Sequence, residues 1–178
     1  MDIQTLVQNT PVEGEYLEQD VDFIVNGNQY LVFNLGAEKY AVDILCVDEL
    51  RSWEQPTKIP NAPDYVKGAI NIRGLIVPII DLRLKFSLNE AVYIDTTVVI
   101  VLTLENSQQN QHKTMGFVVD AVLDVIDVND DDIKSDHGFG GSISVDNIQG
   151  LFNVDESVVT VLNVNALQNI EKHAEYLS

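Results

Sequence analysis

Several kinds of residue and segment are scarce in this chain of 178 residues, and each scarcity excludes a structural feature or a class of function. Its single cysteine, Cys46, excludes an internal disulfide, and its place in an apolar run predicts an inert, buried thiol. The longest apolar runs, VVIVL and LIVPII, are far shorter than the ~18 residues that a membrane-spanning helix needs. Lysine and arginine number only 10 against 28 acidic residues, so the net charge of -18 predicts no binding to nucleic acid and no direct binding to anionic membranes.

The N-terminal region also lacks features. Its first residues, MDIQTLVQNT, have neither the basic n-region nor the apolar h-region of a secretory signal, so we expect a soluble cytoplasmic protein. Residues 1–26 contain six acidic residues and no basic one. This composition predicts a flexible acidic tail that precedes the folded domain.

Motifs for catalysis and for metal binding are almost absent. No G-x-S-x-G, P-loop or dinucleotide fingerprint occurs, and the three histidines have no ligand spacing, so we expect no enzyme and no cofactor. In the segment DVNDDDIKSDHG, Asp127, Asn129 and Asp131 match the first three ligand positions of a calcium loop. Asp132 then stands where the sharp turn needs glycine, and Gly138 where a glutamate is needed. We interpret the segment as a solvated acidic loop, and a calcium-dependent β-barrel enzyme remains a distant alternative.

Short strand-like runs separated by turn signals make up most of the chain. The runs QYLVFNL and KYAVDIL predict a hairpin, and TTVVIVLTL, MGFVVDAVLDVIDV, DNIQGLFNV and SVVTVLNV predict further strands. Strands and helices do not alternate, which favours all-β barrels over a doubly wound sheet. The spacing of Leu167, Ile170, Ala174 and Leu177 predicts a short C-terminal helix over 166–178.

The segment KGAINIRGLIVPIIDLRLKF combines high apolarity with residues that are unusual inside a strand. The runs GAINIRG and LIVPIID read as two strands that meet at Arg73 and Gly74, where glycine supplies the positive φ of a tight turn. Pro78 has no backbone N–H, which predicts an edge strand or a bulge. Asp81 is expected to cap a short helical turn.

Positive charge is concentrated in the same region. Six of the ten basic residues lie between positions 51 and 85, against three acidic ones. Chance clustering with local salt bridges and a mildly basic recognition surface both explain this excess, and both interpretations stay open. The six residues are Arg51, Lys58, Lys67, Arg73, Arg83 and Lys85.

Four segments closely resemble the CheW family of bacterial chemotaxis coupling proteins: YLVFNLGAEKYAVDILCVDELR, TKIPNAPDYVKGAINIRGLIVPIIDLRLKF, TTVVIVL and MGFVVDAVLDV. The resemblance runs from Gln29 to Val128 and more weakly to Asn163, and it includes the pattern G-x-I-N-x-R-G-x-I-x-P-x-I-D-L-R. It implies a CheW-like domain over 27–165, built from two interleaved five-stranded β-barrels, without catalytic activity.

The resemblance also implies partners. CheW-like proteins link the regulatory domain of a CheA-type histidine kinase to the cytoplasmic tips of methyl-accepting chemotaxis receptors, so this chain would be recruited to receptor arrays at the membrane. Whether copies of the chain contact one another in array rings stays open, as does a chemosensory pathway for pili or biofilm. By the resemblance, the receptor-facing groove would be lined by Ile44, Val47, Glu49, Gly68, Arg73, Val98 and Val99.

Two of these groove residues carry more specific expectations, and a second surface is a hypothesis. Glu49 and Arg73 are expected to form an ion pair, and Gly68 to admit the close approach of a receptor backbone. For the kinase we expect contact through Ile133 and Phe139. Phe139, which is flanked by glycines, would either anchor the kinase or pack under its own loop.

Overall fold

The computed structural model of the protein describes residues 28–88, 90–106, 108–135 and 143–170. In this part of the chain ten strands form two five-stranded sheets. The strands are, in chain order, β1 (Asn28–Leu35), β2 (Glu38–Asp43), β3 (Val47–Ser52), β4 (Val66–Ile72), β5 (Leu75–Asp81), β6 (Val98–Asn106), β7 (Gln111–Val119), β8 (Ala121–Val128), β9 (Ile148–Val154) and β10 (Ser157–Leu162).

Helical structure is short. The helix α1 (Leu82–Lys85) follows β5 directly. Single turns of 3-10 helix lie at Ile44–Cys46, Asp130–Asp132, Val145–Asn147 and Val164–Gln168.

The chain divides the ten strands between two interleaved lobes. The first lobe is the sheet β8-β1-β2-β10-β9, and the second is the sheet β3-β6-β7-β5-β4. The chain therefore begins in the first lobe, builds the whole second lobe, and returns to finish the first. It crosses once through the 3-10 turn Ile44–Cys46 and once at Asp120, the single residue between β7 and β8. This confirms the predicted fold class of two interleaved five-stranded units.

Side chains alternate along the strands between two cores, and one of these cores is complete only when both lobes are present. On β6, Ile100, Leu102 and Leu104 face a core that is built from both sheets, which we call the shared core. Val99 and Val101 point the other way, into a separate core inside the second lobe. Strands that are buried on both faces read as continuous apolar runs, as VVIVL does. The shared core also contains Leu31, Phe33, Tyr40, Val42, Ile80, Leu82, Met115, Phe117 and Val119.

Three local predictions need correction. The strand that was predicted to continue through Leu45 ends at Asp43, because the Asp43 carboxylate accepts the Leu45 backbone N–H and starts the 3-10 turn. Pro78 does not lie on an edge strand, because β5 is flanked by β4 and β7. The ladder with β7 begins only at Ile79, one residue after the proline that could not donate to it. Cys46 is half-buried rather than fully buried, although burial raises the pKa of its thiol.

The predicted C-terminal helix is described only at its start. Residues 166–168 belong to the 3-10 turn Val164–Gln168, and Asn169 and Ile170 are not helical. The remaining residues, 171–178, lie outside the described part of the chain.

The shared core predicts a contrast between two leucines. Leu102 is buried in it at 1% exposure, whereas Leu45 is 86% exposed. We expect Leu102→Ala to lower the free energy of unfolding by about 2–5 kcal/mol, since it leaves a cavity between the lobes. The control Leu45→Ala should change it by less than about 0.5 kcal/mol. Urea unfolding measures both, and equal losses would contradict the assignment of the core.

Candidate functional site

An acidic side chain on the edge strand β3 pairs with two arginines. Glu49 accepts hydrogen bonds from Arg51 at 3.2 Å and from Arg73 at 3.4 Å. The predicted ion pair between Glu49 and Arg73 is therefore present. The Arg73 side chain is 73% exposed, so solvent screens the pair and it contributes little to stability.

Arg73 lies at the tip of the β4–β5 hairpin, which has the predicted turn. Arg73 and Gly74 have φ values of 50° and 86°, and two successive positive φ angles define the type I′ turn of tight hairpins. The Gly74 N–H donates to the side-chain oxygen of Asn71 at 2.9 Å, which fixes the turn. Leu75 and Ile76 follow at 59% and 72% exposure. The tip thus presents one cation beside two exposed apolar side chains.

The seven predicted groove residues divide into separate environments. Ile44, Val47 and Val98 are half-buried and pack together against the shared core. Glu49 lies directly opposite Val101 in the ladder, and the Val101 side chain faces the core inside the second lobe. Glu49 and its partner Arg73 therefore lie on the opposite face of the sheet from these three residues. The structure therefore brings three of the seven to one face and two to the opposite face.

The remaining two residues are buried inside the chain. Val99 is only 3% exposed and packs in the core of the second lobe. Gly68 is buried beneath Thr57, whose backbone pairs with Ala69 at 2.8 and 3.1 Å. A Cβ at Gly68 would lie 2.1 Å from the Thr57 oxygen. The close backbone approach that Gly68 permits is therefore made by the chain's own loop, which corrects the reason given for it.

Sequence reasoning missed two exposed leucines beside the apolar groove residues. Leu45 projects from the crossing turn, and Leu50 on β3 is 47% exposed. Leu50 pairs across the ladder with Ile100 and so shares the face of Val47 and Val98. Leu45 lies in an apolar run of the sequence, and it is exposed because the Asp43 cap turns the chain there. Leu50 is exposed because β3 lies at a sheet edge.

A buried ion pair lies where β5 ends and α1 begins. Arg83 is 1% exposed and Asp81 is fully buried, and they form two parallel bonds, Nε to Oδ1 at 3.0 Å and Nη2 to Oδ2 at 2.8 Å. Asp81 also caps α1, as predicted, by accepting the Arg83 backbone N–H. Burial alone would lower the pKa of the guanidinium, but its bonds to Asp81 and then Asp120 raise it above its usual range. Arg83 is therefore a structural cation and no part of a basic surface.

The same arginine reaches the crossing between the lobes. Its Nη1 donates to Asp120 at 2.8 Å, and the second oxygen of Asp120 accepts the Gly36 N–H from the β1–β2 turn. The Asp120 N–H donates to Asn34 on β1 at 3.1 Å. One residue thus receives bonds from both lobes at the point where the chain passes between them.

Comparisons with known proteins agree with this architecture. A model of the CheW-like domain matches residues 29–171 of the chain. The chain belongs to the CheW-like family of chemotaxis scaffolding proteins. Chemotaxis protein CheW of Klebsiella aerogenes is 38% identical over 148 residues, which cover 83% of this chain and 86% of that protein. The Bacillus subtilis protein of the same name is 28% identical over 149 residues, or 83% and 91% of the two chains.

A solved structure has the same fold as this CheW-like chain. The crystal structure of the scaffolding protein TtCheW from Thermoanaerobacter tengcongensis superimposes with a TM-score of 0.73 at 26% identity. The match covers 82% of this chain and 90% of that chain. The two interleaved sheets are therefore the fold of a known chemotaxis scaffold.

The residues that were predicted to contact a kinase are only partly described. Ile133 of this CheW-like chain is half-buried, packs against the core of the first lobe, and lies over Gly150. Phe139 lies outside the described residues. The kinase contact therefore stays a prediction.

The described ranges contain neither a metal-binding cluster nor a membrane-spanning helix. In those ranges no group of three His, Cys, Asp or Glu side chains could hold a metal ion. No helix of the described CheW-like domain is long and apolar enough to cross a membrane.

The two hairpin glycines predict different responses to alanine. Gly74 has a φ of 86° but open space around its Cα, whereas Gly68 combines a φ of 142° with the Thr57 backbone. We expect Gly74→Ala to lower the melting temperature by about 2–4 °C, which corresponds to about 1 kcal/mol of strain. Gly68→Ala should lower it clearly more, because it also displaces the loop. Calorimetric melting checks this, and the reverse order would refute the steric argument.

The buried and the exposed arginine predict a second contrast. Arg83→Ala should lower the free energy of unfolding by about 3–5 kcal/mol, because it leaves the Asp81 carboxylate buried without its cation. Arg73→Ala removes the same side chain from an exposed pair and should cost less than about 1 kcal/mol. Denaturant titration of both variants gives the values. A small loss for Arg83→Ala would mean that water replaces its bonds.

Proposed function

We propose that this chain couples the regulatory domain of a CheA-type histidine kinase to the cytoplasmic tips of methyl-accepting chemotaxis receptors, and that it does so without a catalytic step. Its membership of the CheW-like family supports the general role. The observation that carries the specific proposal is the hairpin tip, where Arg73 stands beside the exposed Leu75 and Ile76 on a rigid turn. Arginine next to exposed apolar side chains is a common composition of binding hot spots.

The receptor would bind at the sheet edge formed by β3, where it can contact both Arg73 on one face and Ile44, Val47 and Val98 on the other. The three apolar side chains are only half-buried, and the exposed Leu45 and Leu50 extend the apolar surface around them. Glu49 and Arg73 would contribute charges that select the partner from the opposite face of β3. Val99 and Gly68 would act indirectly, since each is buried and supports an element of that region.

Kinase contact is proposed at the other lobe. Ile133 lies beside β9 of the first lobe, so a partner there would be separated from one at the second-lobe hairpin. With Phe139 as a further anchor, the chain would hold two partners at once. Such a bridge can transmit receptor state only if its contacts with the kinase differ between the active and inactive states.

Weak individual contacts suffice for this role. A dissociation constant of about 1 μM corresponds to about -8 kcal/mol. Many copies recruited to one receptor array at the cytoplasmic side of the membrane would add avidity without new contacts.

Charge reversal at the tip tests the receptor surface. We expect Arg73→Glu to weaken binding to a soluble receptor-tip fragment about tenfold or more, since it places an acidic group beside Glu49 and repels the partner's complementary charge. Binding to the kinase regulatory domain should stay within about twofold. Calorimetric titration with each partner from the same organism measures both affinities.

The matched control is Lys113→Glu, which makes the same charge change at an exposed lysine of β7 in the same lobe. It should leave both affinities unchanged. Equal effects of the two substitutions would show that net charge, and not the tip, governs binding. Absence of saturable binding to either partner would refute the proposed coupling.

A further inference from the structure

A cleft of about 370 Å³ opens where the chain leaves β3, away from the hairpin tip. Its floor is a pair of stacked rings, Trp53 and Tyr93, with centroids 4.2 Å apart and planes at 20°. The Tyr93 hydroxyl donates to Asp81 at 2.8 Å, and the Arg83 guanidinium lies 5.0 Å from the ring centre. The buried ion pair therefore fixes the aromatic floor. Further lining residues include Pro56, Lys58, Pro63 and Lys67.

Within the described residues, the two lysines of the cleft differ from the three arginines of the basic span in having no carboxylate partner. Arg51 and Arg73 share Glu49, and Arg83 is buried with Asp81. Within the described residues, neither Lys58 nor Lys67 forms an ion pair, and Lys67 Nζ lies 5.8 Å above the Tyr93 ring. The cleft also has one acidic lining residue, Asp64. It thus combines an excess of positive charge among its lining residues with an aromatic surface, in a chain of net charge -18.

Apolar side chains flank the cleft without cover. Ile59 is 41% exposed, and Val92 and Ile94, on either side of Tyr93, are each 59% exposed. Charge, aromatic rings and exposed aliphatic groups together suit an acidic peptide that also carries apolar residues.

We propose that the occupant of this cleft is the acidic N-terminal segment of the same chain, residues 1–27. Five acidic residues lie between Glu13 and Asp22, and the whole segment contains no basic residue. Tyr16 and Phe23 supply aromatic groups for the apolar rim. The net negative charge of the chain as a whole repels such a segment, which favours contact with a basic cleft.

The chain is long enough for this contact. The described part of the chain begins at Asn28 in β1, so Asp22 can lie up to about 20 Å and Glu13 up to about 50 Å from that point. A domain of this size has a radius of gyration of about 15 Å and is therefore about 40 Å across, so Glu13 can reach the opposite surface, whereas Asp22 can reach about half that distance. Covalent attachment gives the segment a millimolar effective concentration at the cleft, which makes a weak contact sufficient.

Trp53, the only tryptophan of the chain, gives a specific reporter for the test. A nitroxide is attached at Gln19→Cys in the full-length chain after Cys46→Ser removes the natural thiol. The Trp53 indole N–H signal is then recorded with the label oxidised and reduced. We expect the oxidised label to attenuate this signal more than twofold, equally at high and at tenfold lower protein concentration. An unattenuated signal would overturn the proposal, and attenuation that disappears on dilution would assign the contact to a second copy instead.

Two pairs of variants separate docking from general electrostatics. Lys58→Glu with Lys67→Glu should restore the indole signal, while Lys113→Glu with Lys134→Glu, the same charge change at exposed lysines elsewhere, should not. The combined change Glu13→Gln, Glu15→Gln and Glu18→Gln should also restore it, and it leaves every described element intact. Attenuation that survives both the cleft reversal and the neutralised segment would refute docking in this cleft.

Discussion

The bidentate bond between Arg83 and Asp81 is the interaction on which the rest of the structure depends. Asp81 ends β5, caps α1 and accepts the hydroxyl of Tyr93, while Arg83 reaches Asp120 at the crossing between the lobes. A charge pair in such a position is weak evidence for stability, because desolvation offsets much of its attraction. Its geometry instead fixes how the lobes are aligned, because strands from both lobes bond to the same set of donors and acceptors. A hydrophobic pair of equal volume would fill the space without specifying which groups face each other.

The fold shows how two arginines of one short motif serve opposite purposes. Arg73 lies at a turn with its head in water, whereas Arg83, ten residues later, is buried behind the sheet. The difference follows from the carboxylates around them. Glu49 reaches Arg73 from an edge strand, and Asp81 and Asp120 enclose Arg83 from two directions. Charge density along the sequence therefore overstates the basic surface, because Arg83 is buried and Arg73 is paired with Glu49, whereas the two lysines of the aromatic cleft form no ion pair within the described residues.

Local rules were sufficient for the parts of the molecule that local chemistry determines. The strands follow from apolar runs, the β4–β5 turn from Arg73-Gly74, and the α1 cap from Asp81. Local rules could not predict the environment of residues that pack against strands or loops distant in the sequence. The burial of Val99 depends on which face of β6 meets the shared core, and the role of Gly68 depends on where the loop at Thr57 returns. The interleaved topology itself came from the resemblance to a family, since nothing in the periodicity shows that β8 returns to β1.

The crossing at Ile44–Cys46 combines an exposed apolar side chain with contacts to the shared core. Its middle residue, Leu45, is the most exposed large apolar side chain described, while Ile44 and Cys46 on either side pack against the shared core. A partner that covers Leu45 would thus contact a turn whose other two residues, Ile44 and Cys46, pack against the core shared by both lobes. The second crossing, at Asp120, is held by hydrogen bonds and charge, which tolerate displacement less than apolar packing does. The two crossings therefore differ in kind, since the first packs apolar side chains against the shared core and the second is held by hydrogen bonds and charge.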